Sequence, residues 1–178
     1  MPFELLKSET LVDGRAFKVR RDQVKTSNGT VTLDIIEHGG SIALIPIDES
    51  GNILFVRQYR HATGQELLEL PAGTREANET FETCAAREVR EETGMEAGKL
   101  QRLGEFYLAP GYSTELMGVF LATELKPKPL QADDDEFLEV ERYSMSEVFE
   151  MIADGQFQDA KTLAAVLLAR PYLEKYLG

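Results

Sequence analysis

Apolar positions change their period several times along this chain, and each change marks an element. Residues 17–24 and 31–36 alternate or are β-branched, and Ser27-Asn28-Gly29 between them carries the chemistry of a tight hairpin turn. Gly39-Gly40 then punctuates. The pattern predicts a small antiparallel β unit over residues 1–40. It offers too little core to stand alone, so it should pack on the rest of the chain or on a second subunit. Two apolar strand runs follow, 41–47 and 53–59, across the turn 48–52, and a short strand at 67–70 leads into Pro71-Ala72-Gly73. Phe81, Ala85 and Val89 recur at helical spacing. Residues 100–108 and 116–122 read as strands flanking the loop 109–114, and 137–143 as one more. Ser146 is a suitable cap for a helix through Ile152 that Asp154-Gly155 ends, and Asp159 for a helix over 160–169, with Pro171 near its end.

The helix begun by Phe81 changes the picture, because its other side stacks acids. Glu88, Glu91 and Glu92 fall within about a 100° arc, since positions three and four apart share a helix face. Like charges so spaced repel by a few tenths of a kcal/mol per pair. The bland reading is a solvated acidic surface. The chemical reading is a cation site, for which hard carboxylate oxygens suit Mg²⁺ or Mn²⁺.

Size and charge narrow the choices. A chain of 178 residues with 43% hydrophobic content suits one globular domain with a small appendage. No apolar run reaches the 18 or so residues of a membrane span, and the start MPFELLKSET lacks the apolar core of a signal peptide. Cys84 is the only cysteine; it excludes an internal disulfide and, with no evident histidine partner, reads as a packing residue rather than a nucleophile. A cytoplasmic address follows by default. The net charge of −12 argues against a general nucleic-acid binder and would equally repel a nucleotide, unless metal and local arginines offset it.

The stretch GTREANETFETCAAREVREETGM (residues 73–95) resembles the Nudix box, G-x5-E-x7-R-E-U-x-E-E-x-G-U with U bulky and aliphatic. Gly73, Glu79, Arg87, Glu88, Glu91, Glu92 and Gly94 meet every fixed position; Val89 and Met95 fill the U places, Met95 being a mild departure. The resemblance implies an α/β/α sandwich with a mixed sheet, preceded here by the N-terminal β unit. It also implies a pyrophosphohydrolase acting on a nucleoside diphosphate linked to a further group. Glu88 and Glu92 are then the main metal ligands, with Glu91 a helper and the backbone carbonyl of Ala72 completing the set for Mg²⁺ or Mn²⁺. Arg87 and Glu79 take structural roles, with Gly73 and Gly94 shaping the two ends.

Residues outside the box bear on the substrate. Pro110-Gly111 in Leu-Ala-Pro-Gly-Tyr-Ser-Thr-Glu resembles the loop of the ADP-ribose pyrophosphatase branch, where the loop glutamate is the proposed general base. Glu115 matches it, joining Glu91 and Glu92 among the catalytic carboxylates, with Gly111 beside the substrate; Ala109 stands where serine is usual. The alternative, less favoured, is that Glu115 is an ordinary acid at a strand start. The run Phe55-Val56-Arg57-Gln58-Tyr59-Arg60-His61 is similar to the branch's V-R-Q-x-R stretch, which implies that Arg60, then Arg57, contacts phosphate. Pairing of this arginine with Glu66 or Glu69 is the alternative, and nothing orients His61. Phe3, Phe17 and Tyr112 are candidates to stack on a base. The resemblance thus implies a homodimeric enzyme cutting ADP-ribose to AMP and ribose 5-phosphate, with residues 1–40 in the dimer and 41–178 as the hydrolase domain. A GDP-mannose hydrolase and a non-catalytic nucleotide sensor are the rivals. The acid run Asp133-Asp134-Asp135-Glu136 reads as a solvated loop.

Overall fold

The computed structural model describes residues 3–130 and 138–174, so the acid run at 133–136 lies outside the described residues. Strands β1 (Glu4–Asp13), β2 (Lys18–Thr26) and β3 (Gly29–Glu37) form an antiparallel sheet in the order β1-β2-β3. The predicted β2–β3 hairpin is present. The third strand, β1, is an addition to the sequence expectation, because Leu5-Leu6 and Leu11-Val12 are adjacent apolar pairs that break a period of two. Bulges between Leu5 and Lys7 and between Thr10 and Val12 re-phase the strand at these two places.

The main body holds β4 (Ser41–Pro46), β5 (Ile53–Arg60), β6 (Gln65–Glu69), β7 (Ala72–Thr74), α1 (Phe81–Thr93), β8 (Met95–Tyr107), β9 (Leu116–Pro127), β10 (Leu138–Tyr143), α2 (Met145–Ala153) and α3 (Ala160–Leu173). One sheet has the order β7-β4-β9-β8 and the other β10-β5-β6. The first is mixed, since β4 pairs with β9 in parallel and with β7 antiparallel. Strand β4 is buried on both faces. Ile42 and Leu44 pack with Cys84, Ala85 and Val89 of α1, whereas Ala43 and Ile45 pack with Val148 of α2 and Val166 of α3. The result is the α/β/α arrangement with a mixed sheet. Among the described residues no helix is long and apolar enough to cross a membrane.

Several boundaries differ from the sequence expectation. Ser144, not Ser146, caps α2: its side chain accepts from the Glu147 amide while the Glu147 carboxylate accepts from the Ser144 amide. That reciprocal box needs an acid three residues on, which Ser146 lacks, having Phe149 there. Strands β8 and β9 each run beyond the predicted limits because they pair with each other almost from end to end. Pro171 lies inside α3 rather than past its end.

The N-terminal sheet docks through the loop 109–114. The Ile36 amide donates to the Tyr112 carbonyl (2.7 Å), and the Thr114 amide donates to the Ile36 carbonyl (2.9 Å). The Thr114 hydroxyl accepts from the His38 amide (2.9 Å). The β unit therefore touches the main body at the loop that leads into Glu115.

Candidate active site

Helix α1 is fixed at both ends. Thr80 and Thr83 form a capping box, and Gly94 closes the helix in the left-handed region at φ 71°. Full burial of Val89 contributes about 1.5–3 kcal/mol, which outweighs the few tenths lost to repulsion between stacked glutamates. The apolar stripe thus holds the acid stripe in place.

Those acids press against β7. Glu92 is buried, and its Oε2 accepts from the Ala72 amide at 2.8 Å. Glu88 is buried too, and it occupies the space above Gly73 that any side chain would need: a Cβ there would lie 1.8 Å from Glu88 Oε1. Arg87 ties loop and helix together. It donates in a fork to Glu79 (2.9 and 3.0 Å), to Glu88 Oε1 (2.6 Å), to Glu91 Oε2 (2.7 Å) and to the Thr74 carbonyl (3.2 Å). The hydrogen bonds to Glu79 do most to hold the Arg87 proton, and the same contact pulls the Glu79 carboxyl below its ordinary range. Glu79 and Arg87 thus pair with each other, and Arg87 pairs with the box carboxylates Glu88 and Glu91 as well. A cavity of about 620 Å³, within the size range of small-molecule sites, is lined by Gly73, Arg87, Glu88 and Glu91, with Arg15 and Arg75 on its walls.

Arg60 lies near this group. It makes a bidentate pair with Glu69 (2.9 and 2.7 Å), the alternative that the sequence left open, and the charges of Glu69, Glu92 and Asp159 all help to keep it protonated. Glu69 is buried and also accepts from Lys161, which donates to Asp159 at 2.9 Å. Arg57 is placed elsewhere. Alternation along β5 sends it to the opposite face, where it pairs with Glu141 (2.5 Å) beside Tyr143, away from the helix acids. His61 only approaches the Tyr59 ring.

Glu115 sits immediately before β9, whose first residues flank β4. Across β4, Ser41 pairs with Met117 on one side and Thr74 on the other. Two strand spacings, about 10 Å, therefore separate the Glu115 end of β9 from the β7 box loop. Glu115 Oε1 accepts from the Ser41 hydroxyl at 2.7 Å. It lines a second cavity of about 500 Å³ with Phe17, His38, Tyr112 and Lys161. Gly111 is in the adjoining turn with open space around it, and Phe3 is exposed at the chain start and lines neither cavity. Burial pushes the Cys84 thiol up to about 12, which suits packing and not nucleophilic attack.

Sequence reasoning missed Ser41, Glu69 as an ion-pair hub and Lys161. A charge in the apolar run Leu67-Leu68-Glu69-Leu70 was the available signal, since a buried carboxylate needs cations.

In kind, the donors match a hard divalent cation: three carboxylates surround the Arg87 guanidinium, Glu92 lies beside them, all offer oxygen, and Gly73 makes a cradle that a Cβ would fill. Arg87 draws three of these acids toward itself. Among the described residues no three His, Cys, Asp or Glu side chains converge in metal-binding geometry.

An α/β/α fold with this loop–helix carboxylate platform defines a class, the hydrolases of phosphate anhydrides built on a glutamate-rich helix. The NUDIX domain model matches residues 37–166, and the chain belongs to the NUDIX family, as a hydrolase of that family. Its members generally use a divalent metal. The chain is 39% identical over 169 residues to an ADP-ribose pyrophosphatase of Mycobacterium tuberculosis, covering 93% of this chain and 82% of that protein. It is 33% identical over 162 residues to a GDP-mannose pyrophosphatase of Yersinia pestis, covering 83% and 80%. The solved structure of an ADP compounds hydrolase superposes with a TM-score of 0.86 at 25% identity, over 98% of this chain and 96% of that one.

Proposed function

We propose that this protein is a Mg²⁺-dependent hydrolase, able to use Mn²⁺, that cleaves ADP-ribose to AMP and ribose 5-phosphate. The observation that carries this reading is the gathering of Glu88, Glu91 and Glu92 against Ala72 and Gly73, with Arg60 near Glu92 and the Glu115 loop at the same end of the sheet. Glu88, Glu91, Glu92 and the Ala72 carbonyl would hold the metal. When bound, it neutralises phosphate oxygens and lowers the pKa of water. Glu115 takes the proton of the attacking water, so that oxygen bonds to phosphorus as the bridging oxygen leaves. Arg60 presents its guanidinium to the diphosphate, Glu69 holding it in a fixed orientation. Arg57, on the far face of β5, has no part in this reading. Gly111 gives room beside the substrate, and Phe17 and Tyr112 offer rings to the base.

The N-terminal unit (1–40) supports a homodimer in this reading. Leu5, Val31 and Leu33 share one face of its sheet and are 60%, 40% and 41% exposed, an apolar surface that a second copy would cover. The lone thiol is in keeping with a cytoplasmic enzyme.

The test is a panel of ADP-ribose, GDP-mannose, dinucleoside polyphosphates and NADH with Mg²⁺, read by chromatography of the products. Fastest turnover of ADP-ribose to AMP is expected. Preference for GDP-mannose would overturn the substrate assignment, and binding without turnover of any compound would point to a nucleotide sensor.

A further inference from the structure

We propose that Gln58 is a positioning residue for the divalent cation, its side-chain carbonyl oxygen accepting from a water of the cation's hydration shell; this rests on the reading of Glu88, Glu91 and Glu92 as the metal site. Gln58 is buried, 8% exposed, near the end of β5. Its Oε1 is shut off from solvent and, among the described residues, is the one such side-chain oxygen or nitrogen without a hydrogen-bond partner. An acceptor taken out of water with nothing donating to it destabilises the fold, so such an atom marks a place where a donor binds.

The strand turns this atom toward the helix acids. Side chains alternate along β5, so Gln58 shares a face with Leu54, Val56 and Arg60. Leu54 packs on Cys84, Ala85 and Val89 of α1. Val140 of β10 stands opposite Val56 and packs on the same cluster. At the strand end, Arg60 feels the charge of Glu92, in the last turn of α1. Gln58 therefore stands between the apolar seam under α1 and the acids at that helix end. Its neighbours across the two flanking strands are Leu138 and Leu67, whose side chains have no donor to offer.

The missing partner must carry hydrogen. That excludes the phosphate oxygens of a substrate and the ionised carboxylates of the box helix. Arg60, about 7 Å along the strand, commits its fork to Glu69. Mg²⁺ dehydrates reluctantly and keeps several of its waters. Water polarised in this way is a strong donor. An oxygen that receives it steadies the site without touching the ion.

The experiment measures Mn²⁺ binding by electron paramagnetic resonance, and thermal unfolding without metal, for the full chain, Gln58→Met and Gln58→Leu. Methionine is unbranched like glutamine, but its sulfur is only a weak acceptor. Mn²⁺ affinity is expected to fall about 10–100-fold in both variants. The metal-free melting point of Gln58→Met should equal or exceed that of wild type, because an orphaned acceptor gives way to an apolar group. A residue kept for packing, or one holding a permanent structural water, would show the reverse. Mn²⁺ affinity within about twofold of wild type in Gln58→Met, or a lower metal-free melting point in that variant, overturns the proposal while leaving the helix acids as the metal site. Glu92→Gln is the control. Unweakened Mn²⁺ binding in that variant overturns the metal site and this proposal together.

Discussion

The Cβ that Gly73 lacks would lie 1.8 Å from Glu88 Oε1 and 1.9 Å from its carboxyl carbon. Strand β7 cannot easily retreat, because Gly73 pairs with Ile42 and the neighbouring Ala72 amide is bound by Glu92. Gly73→Ala should therefore expel the Glu88 carboxylate rather than move the strand. Turnover should fall by about 100-fold or more, the scale of an ångström-level misplacement. Circular dichroism should show the fold retained. Activity within a few-fold of wild type would mean that the place of Glu88 is immaterial.

Glu92 bears on the same cradle from the next helical turn. Glu92→Gln keeps an oxygen for the Ala72 amide, so the loop–helix junction survives while the charge is lost. Turnover should drop by more than about 100-fold, with weaker Mn²⁺ binding, since even outer partners of a metal site cost 10–100-fold. An unimpaired variant would remove the metal assignment from this helix.

Much of this site is legible in the sequence because its parts are local. Glu88, Glu91 and Glu92 share a face by helical period alone, and Glu79 and Arg87 stand at box spacing. What could not be read is carried by long-range partners. Ser41 meets Glu115 across 74 positions and Lys161 meets Glu69 across 92, and no periodicity relates them. Strand β1 was lost because its apolar pairs obey alternation only after two bulges. Ser144 was legible: its acid partner stands three residues on, whereas Ser146 has none. For Arg60 the sequence offered both phosphate and Glu69, and the ion pair makes these compatible, since Glu69 orients a guanidinium that remains near Glu92.

Arg87 tests whether geometry or charge closes the box. Its fork spans Glu79, while another nitrogen bridges Glu88 and Glu91. A lysine ammonium in its place carries its three donors on a single nitrogen and cannot span both contacts. Arg87→Lys should therefore lose about 1–3 kcal/mol of stability without metal, seen as a melting point several degrees lower. An unchanged melting point would show that one positive charge suffices.

Glu69 gives a prediction about acid. Burial pushes its carboxyl upward, but the hydrogen bonds from Arg60 and the charge of Lys161 outweigh this, leaving it below its ordinary value of 4.5. A carboxyl with a lowered folded value contributes stability above pH 4.5 and loses it as pH falls through that lower value. Glu69→Gln abolishes this contribution and leaves two cations, one of them in the largely buried Lys161, without their shared carboxylate. At pH 7 the variant should be less stable by about 3 kcal/mol. The gap should close as pH drops below 4.5, because protonation brings the native residue to the same uncharged state. Urea denaturation of both proteins at pH 7 and near pH 3 measures it directly. A gap that stays constant across that range would mean that Glu69 stabilises the fold by shape, and that Arg60 needs no carboxylate to hold it beside Glu92.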